Sequence, residues 1–401
     1  MSSPDYDVVV VGGRVAGAST ALLLARAGAR VLVLERSPYG SDTLSTHGLM
    51  RAGVLQLTRW GLLDRIVAAD TPAVHSTTFH FAGDEPLRVT IRPHAGVEAL
   101  YAPRRHVVDR ILVDAAAAAG AELRHGARVT GLLRDRTGRV AGVRLLDEAG
   151  RDASVTASYV VGADGIRSVV ADAAGAPVVR RGRYASAVRY AYVEGLDASG
   201  YEMAYGDGAA AGLIPTNDGL HCVFVATTPE RLRTLRLGNP ADAGFDATWR
   251  LAAPGQRDRL ADARRVGRFH GWPGATGYLR RPWGPGWALV GDAGYFKDPI
   301  STHGMTDAVR DAELLTTALL AVLGGERDER TAFGEYRLRR DTVSRRLFQV
   351  TDQIASYAWN GATVQPLLRR RSSAMTDEVE LLGSLPPAQN SGDDRRVARL
   401  A

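Results

Sequence analysis

Four consecutive apolar residues, Val8 to Val11, are followed by a glycine-rich turn and an alanine- and leucine-rich stretch from Ala18 to Ala27. A short β-branched run bounded by glycine predicts a strand buried on both faces, and the longer stretch predicts a helix. Val31 to Leu34 supplies a second strand and closes a strand-helix-strand unit. Val107 to Ala119 predicts a further helix, Trp287 to Val290 a short buried strand, and Met305 to Leu320 the helix after it. Elsewhere the rhythm changes. Thr77 to Arg92 and Ala185 to Thr228 alternate apolar and polar positions around turn signals such as Thr216-Asn217-Asp218-Gly219, which predicts antiparallel strands. Thr137-Gly138 predicts a hairpin turn, residues 336–385 read as helical, and the segment from Pro386 onward reads as loosely ordered.

The chemistry lies in the turns. Gly12-Gly13-Arg14-Val15-Ala16-Gly17 stands between the first strand and its helix, where a tight turn aims helix-terminal N–H groups at a pyrophosphate. Gly12 permits the turn, Gly17 permits close packing, and Glu35 at the end of the second strand is placed to accept ribose hydroxyls. Arg14 occupies the place of the fingerprint's middle glycine. Far along the chain, Gly291-Asp292 is followed by Pro299 and Gly304. Asp292 at a strand end can accept hydrogen bonds from a sugar-like chain, while N–H groups at the next helix start face an electron-rich ring edge. The two motifs together predict FAD. Gly206-Asp207-Gly208-Ala209-Ala210-Ala211 also fits a relaxed glycine fingerprint, but a strand follows it where a dinucleotide site needs a helix, so it is read as a hairpin or bulge.

With Arg105 opening the alanine helix and Gly162-Ala163-Asp164-Gly165 as a further motif, the chain resembles the FAD-dependent monooxygenase superfamily typified by para-hydroxybenzoate hydroxylase, over nearly its whole length. Ser41-Asp42-Thr43-Leu44-Ser45-Thr46-His47 and Gly294-Tyr295 make it similar to a bacterial subgroup of natural-product tailoring enzymes. The resemblance implies an α/β fold: a Rossmann-like FAD-binding domain of the glutathione-reductase type, with an inserted, mostly antiparallel substrate sheet and C-terminal helices. The FAD-binding domain is expected over residues 1–75, 97–180 and 265–335, the substrate sheet over 76–96 and 181–264, a helical segment over 336–385 and a flexible tail over 386–401.

The same resemblance assigns roles. Glu35 binds the adenosine ribose, with Arg36 and Val129 near the adenosine end; Arg105 lies beside the cofactor; Asp164 and Gly165 support the pyrophosphate and the nicotinamide donor. Asp292 holds the ribityl chain, and Gly304 and Met305 offer N–H groups to the flavin pyrimidine edge. Two departures concern substrate and donor. Ala171 replaces the arginine usual after the Asp-Gly motif, and Thr302-His303-Gly304-Met305-Thr306 replaces Gly-Gln-Gly-Met-Asn.

Composition narrows the class. A chain of 401 residues can hold a large core, and no run approaches the roughly 20 apolar residues that span a bilayer. The first strand begins within a few residues of the start, so no secretory leader is expected. Cys222 is the only cysteine, which suits a reducing compartment and a cytoplasmic location. Metal-ligand spacing of cysteine and histidine is absent. The net charge of +6 rests on arginine, Lys297 being the only lysine, and without interleaved aromatics or a recognition module it reads as solvated surface and not a nucleic-acid face. Lys297 itself lies in the flavin loop, as a cation for substrate or reduced flavin or as a plain surface residue.

Ser-Thr-His occurs twice, ending at His47 and His303, and the resemblance brings both loops, with Pro299, to the flavin ring, where either histidine can donate a hydrogen bond or shuttle a proton. Tyr190, Tyr192, Tyr201, Tyr205, His221 and Phe224 are expected around a pocket for an aromatic or polycyclic small molecule. The leading reading is a monooxygenase in which NAD(P)H reduces FAD and O2 adds at flavin C4a to give the hydroperoxide that hydroxylates or epoxidises the substrate. Two alternatives stand beside it. A reductase or dehydrogenase of a prenyl or polyketide double bond uses the same fold, and a flavin halogenase would carry a Trp-x-Trp-x-Ile-Pro motif, which this chain lacks.

Overall fold

The computed structural model describes residues 3–236 and 243–385; the tail expected from Pro386 lies outside the described residues. The chain opens with β1 (Tyr6–Val11), α1 (Val15–Arg26) and β2 (Val31–Glu35), then α2 (Arg51–Arg59) and α3 (Leu63–Ala68). It leaves this unit for β3 (Ser76–Phe81) and β4 (Leu87–Thr90), and returns through α4 (Arg105–Ala118) and β5 (Glu122–His125). A meander of β6 (Arg128–Arg134), β7 (Val140–Leu146) and β8 (Asp152–Gly162) precedes α5 (Val169–Ala173) and β9 (Val178–Arg181). Next come β10 (Ala187–Glu194), β11 (Tyr201–Tyr205), β12 (Ala210–Pro215), β13 (His221–Thr227), α6 (Pro229–Arg236), α7 (Ala243–Ala252) and β14 (Arg264–Trp272). The last part holds β15 (Tyr278–Arg280), β16 (Trp283–Gly284), β17 (Trp287–Leu289), β18 (Tyr295–Phe296), α8 (Gly304–Leu323), α9 (Glu329–Ile354) and α10 (Gly361–Ser384).

The first sheet runs β16-β17-β8-β1-β2-β5, with β17, β8, β1, β2 and β5 parallel and the antiparallel β6 and β7 joined through β8. Its central strands are apolar throughout because both faces are covered. Val8 and Val10 enter the core shared with α1, α4 and α8, while Val9 and Val11 enter a second core under β6 and β7. The other large sheet has the order β14-β10-β13-β12-β11-β3-β4, antiparallel except for the β11–β3 pair. Its alternation also separates two cores. Tyr201, Met203 and Tyr205 face α9, α10 and the loop at Ile300, whereas Ala204, Leu213 and Val223 face α7.

All three turn expectations hold: Thr137-Gly138 lies in the hairpin between β6 and β7, Asn217–Gly219 joins β12 to β13, and the Gly206 motif joins β11 to β12 as a hairpin with no helix behind it. Two expected boundaries move. Residues 265–272, assigned above to the cofactor segments, belong to β14, the edge strand of the second large sheet, which pairs with β10. Its arginine-rich sequence hides this, because an edge strand needs only one covered face and tolerates charge on the other. The helical segment begins at Glu329, not 336, where Asp328 caps α9 by accepting the Thr331 N–H.

Candidate cofactor cleft and adjoining pocket

Two helix starts and one carboxylate define a cleft at the carboxyl ends of the parallel strands. After β1, Gly12 adopts φ +101°, and a Cβ there would stand 2.5 Å from the Ala163 carbonyl oxygen. At Gly17 a Cβ would stand 1.8 Å from the Gly12 carbonyl oxygen, so both positions require glycine. The Gly13 N–H donates to Glu35 Oε2 and the Ser37 N–H to Oε1, each at 2.8 Å. Glu35 therefore fastens the turn from which α1 springs. No side chain caps α1, no acid lies in its first turn, and its leading N–H groups remain available to an anion.

Arg14 explains its departure from the fingerprint. Its guanidinium donates to the Ser41 carbonyl at 2.9 Å, to Ser41 Oγ at 3.2 Å and to Asp109 Oδ2 at 3.1 Å. Arg105 reaches the same carboxylate at 3.2 Å. Two cations thus share one anion beside the positive end of α1, leaving a local excess of positive charge suited to a diphosphate.

The distal motif meets this one in space. Gly291 packs so closely on α1 that a Cβ would lie 2.8 Å from the Ala16 Cβ, which brings Asp292 and the start of α8 beside the first turn of α1. The Tyr278 hydroxyl donates to the Asp292 carbonyl at 2.6 Å, but the Asp292 carboxyl has no hydrogen-bond partner among the described residues. Burial pushes it up to about 6, against the pull of Lys297 and Arg105. Gly304 opens α8 without a side-chain cap, and a Cβ there would meet nothing within 4 Å. A half-buried carboxyl without a protein partner, uncapped N–H groups and open space at Gly304 fit the ribityl chain and ring edge of a flavin.

Other expected positions fall around this cleft. The Ala127 N–H donates to the Glu35 carbonyl at 3.1 Å, which sets the start of β6 beside the end of β2; Val129 is buried in the core under β6 and β7, and Arg36 is exposed. Asp164 is turned back on its own chain, accepting from Ser168 Oγ and from the Val170 N–H at 3.2 Å, and Gly165 follows at φ +77°. Met305 is buried at the start of α8. Pro299 opens a short turn in which Asp298 accepts the Ile300 N–H at 2.9 Å.

The two histidines have different surroundings. His47 sits in a left-handed backbone conformation at φ 64°, with Nε2 hydrogen-bonded to the Tyr192 hydroxyl and Nδ1 buried without a partner. Burial pushes it down to about 3, so the ring is neutral at pH 7. The Arg104 guanidinium stacks 4.4 Å from the Tyr192 ring centroid and pairs with Asp42 at 3.3 Å, tying the 41–47 loop to β10. His303 is enclosed: Nδ1 lies 3.2 Å from Asp307, and Nε2 lies 2.8 Å from Glu378 but out of hydrogen-bond alignment. Burial lowers His303 to about 4.

Lys297 is no surface residue. It is buried against Asp307, and Arg310 joins Asp307 at 3.0 Å, Glu378 at 2.7 Å and Asp311 at 2.6 Å. Burial lowers Lys297 to about 7. His303, Asp307 and Glu378 place ligand atoms within 4.8 Å of one another, as a metal site would. Lys297 and Arg310 already occupy these carboxylates, so the cluster is compensated from within. Sequence spacing missed it because Glu378 arrives from α10, far from the flavin motifs.

Beside the cleft lies a cavity of about 70 Å³ lined by Phe79, Tyr201, Met203, Tyr205 and Phe224 from the sheet, by Ile300 to Thr302, and by Arg371 and Met375 of α10. Three of the six expected sheet residues, Tyr201, Tyr205 and Phe224, line it. Tyr190 and Tyr192 instead hold the 41–47 loop, the Tyr190 hydroxyl accepting the Ser45 N–H, and His221 Nε2 lies 2.9 Å from the Ala198 carbonyl. Met375 carried no motif that could have singled it out, and Arg371, one of the arginines read above as solvated surface, lines the cavity instead.

Residues 5–351 match a family model described as FAD binding domain. Aklavinone 12-hydroxylase DnrF of Streptomyces peucetius is 30% identical over 382 residues, covering 89% of this chain and 76% of that protein. Menaquinone reductase of Mycolicibacterium smegmatis is 27% identical, covering 98% of this chain and 95% of its own. Among solved structures, the flavin-dependent brominase Bmp2 superposes with a TM-score of 0.76 at 21% identity, over 98% of this chain and 96% of that one. At that identity the likeness is one of fold.

Proposed function

The chain belongs to the FAD-binding domain family, and on that premise we propose that this FAD-dependent oxidoreductase is a monooxygenase that uses NAD(P)H and O2 to hydroxylate or epoxidise an aromatic or polycyclic, natural-product-like small molecule. The observation that carries the reading is the aromatic cavity built directly onto the Ile300–Thr302 loop, between Asp292 and the start of α8. DnrF, a hydroxylase by name, supports it.

Bound FAD supplies hydride acceptance and the activation of O2 for transfer of one oxygen atom to an organic acceptor. The chain's own residues do the rest. The uncapped start of α1, with Arg14 and Arg105, holds the pyrophosphate; Glu35 holds the adenosine ribose; Asp292 accepts the ribityl hydroxyls; the N–H groups of Gly304 and Met305 face the pyrimidine edge. Phe79, Tyr205 and Phe224 hold the substrate skeleton and exclude water from the reacting face. His47 is the histidine left to offer or accept a hydrogen bond, because its ring, held neutral by burial, has Nε2 on the Tyr192 hydroxyl and Nδ1 without a partner. His303 is committed to the buried ion cluster.

A second reading, reduction of an isoprenoid or polyketide double bond, is favoured by the narrow, methionine-lined cavity of Met50, Met203 and Met375 and by the name of the mycolicibacterial relative. Halogenation is disfavoured. The only lysine is buried against Asp307 outside the cavity, and β12 ends in Ile214-Pro215 but has Ala210 and Gly212 at the two tryptophan positions of the halogenase motif.

Labelled O2 separates the three. The monooxygenase reading requires NADH or NADPH oxidation that accelerates with substrate and one labelled oxygen atom in the product, with or without halide. A saturated product formed without oxygen would replace it with the reductase, and a halogenated product with the halogenase.

A further inference from the structure

Arg371 is the only charged side chain lining the aromatic cavity among the described residues. It shares one stripe of α10 with Met375 and Glu378, so it is held on a helix and not on a loop. Its Nη1 donates to the Ile300 carbonyl at 3.3 Å, and no carboxylate of the described residues pairs with it. The rest of the lining offers no anion. Met50, Phe79, Leu100, Met203, Phe224, Ile300 and Met375 are apolar, and the Tyr201 hydroxyl is already donated to the Tyr101 carbonyl at 2.9 Å.

A half-buried guanidinium facing an apolar space without a counter-ion is stabilised by a ligand that brings the missing negative charge. With Nη1 turned to Ile300, Nε and Nη2 form the remaining edge, whose two parallel N–H groups match the two oxygens of a carboxylate. Resting on the reading of this cavity as the substrate site, we propose that the substrate is an apolar carboxylic acid whose carboxylate is bound by Arg371. Because Ile300 belongs to the turn between Asp292 and α8, the acid group is held at the cofactor-side wall and the apolar body extends over Phe79, Met203, Tyr205 and Phe224. At about 70 Å³ the cavity is smaller than the roughly 150 Å³ that accommodates benzene. Entry therefore requires Met50, Met203 and Met375 to change rotamer, a motion unbranched thioether side chains allow at low cost.

The test is calorimetric titration of the FAD-loaded protein with benzoate, 2-naphthoate and decanoate, each paired with its uncharged primary amide. At least one acid is expected to bind more tightly than its amide by roughly tenfold to a hundredfold, the range of a charge-assisted hydrogen bond. Arg371→Gln should abolish that preference, Arg371→Lys should keep part of it, and Arg370→Gln, one residue away, should leave it intact. Equal binding of acid and amide, binding of neither, or a preference that survives Arg371→Gln overturns the proposal. If Arg371→Gln does not fold, the wild-type comparison and Arg371→Lys decide. Oxygen transfer is read separately: an Arg371-dependent acid preference without labelled product defeats the monooxygenase reading alone, whereas labelled product from neutral compounds with no acid preference defeats only the present one.

Discussion

Asp292 is the residue whose surroundings are hardest to explain without a ligand. Its half-buried carboxyl lies near Lys297 and Arg105 and accepts no hydrogen bond from the described residues; on the proposed reading the ribityl hydroxyls supply the missing partners. Asp292→Ala should therefore weaken FAD binding by roughly tenfold to a hundredfold while leaving the apoprotein folded, measured by titration of apoprotein with FAD. Unchanged affinity in a folded variant would remove Asp292 from the site. The buried histidines make a second prediction. His47 and His303 are lowered to about 3 and about 4 from 6.5, so between about 4 and 6.5 the unfolded chain binds more protons and stability is lost as pH falls. Two such groups give a slope of at most about 2.7 kcal/mol per pH unit. Asp292, raised to about 6, keeps a proton in the folded state and opposes that loss. Urea midpoints from pH 7 to 4.5 should accordingly fall more steeply in Asp292→Asn and less steeply in His47→Gln.

At the scale of elements, the loop between β2 and α2 is held from three directions. Arg14 reaches it from α1, Arg104 from the start of α4, and Tyr190 and Tyr192 from β10. Arg14→Gly restores the residue common in dinucleotide turns, and β1 and α1 should form as before because the turn is fastened by Glu35. The loss falls on the loop, with Asp109 left to Arg105 alone, and on the positive charge offered to the pyrophosphate; a cost of about 1–3 kcal/mol is expected, with faster proteolysis within residues 38–46 and weaker FAD binding. Unchanged proteolysis would show that Arg14 is not a loop anchor. Gly17→Ala should behave differently, since its methyl would overlap the Gly12 carbonyl. Loss of FAD binding with a lowered melting temperature is the expected result, and a variant with native affinity would mean that α1 can shift on β1.

Across the whole molecule, α10 ties the two sheets together. One stripe of this helix gives Arg371 and Met375 to the cavity and Glu378 to Arg310 of α8. Glu378→Ala leaves Arg310 with Asp307 and Asp311 and should cost about 3–5 kcal/mol, as expected when one partner of a buried ion cluster is removed. Thermal denaturation checks this; a shift no larger than that of a surface substitution would mean that the cluster is hydrated.

Adjacent residues largely determined the cofactor half. The β-branched runs at Val8 and Val31, the glycine turn and Glu35 are local because a strand-helix-strand unit builds its anion site from one short stretch of chain. The sequence also carried Asp292 and the start of α8, since a strand end followed by a helix is written in apolar periodicity. It could not show that Gly291 lies on Ala16, that Arg14 serves a loop, that Arg264–Trp272 is a sheet edge, or that Lys297, the chain's only lysine, is sealed against Asp307. Those are decided by partners distant in the chain. A charged residue reads as surface until a counter-charge from another element removes it from water, and only the folded structure brings α10 to Arg310 and Arg371 to the aromatic cavity.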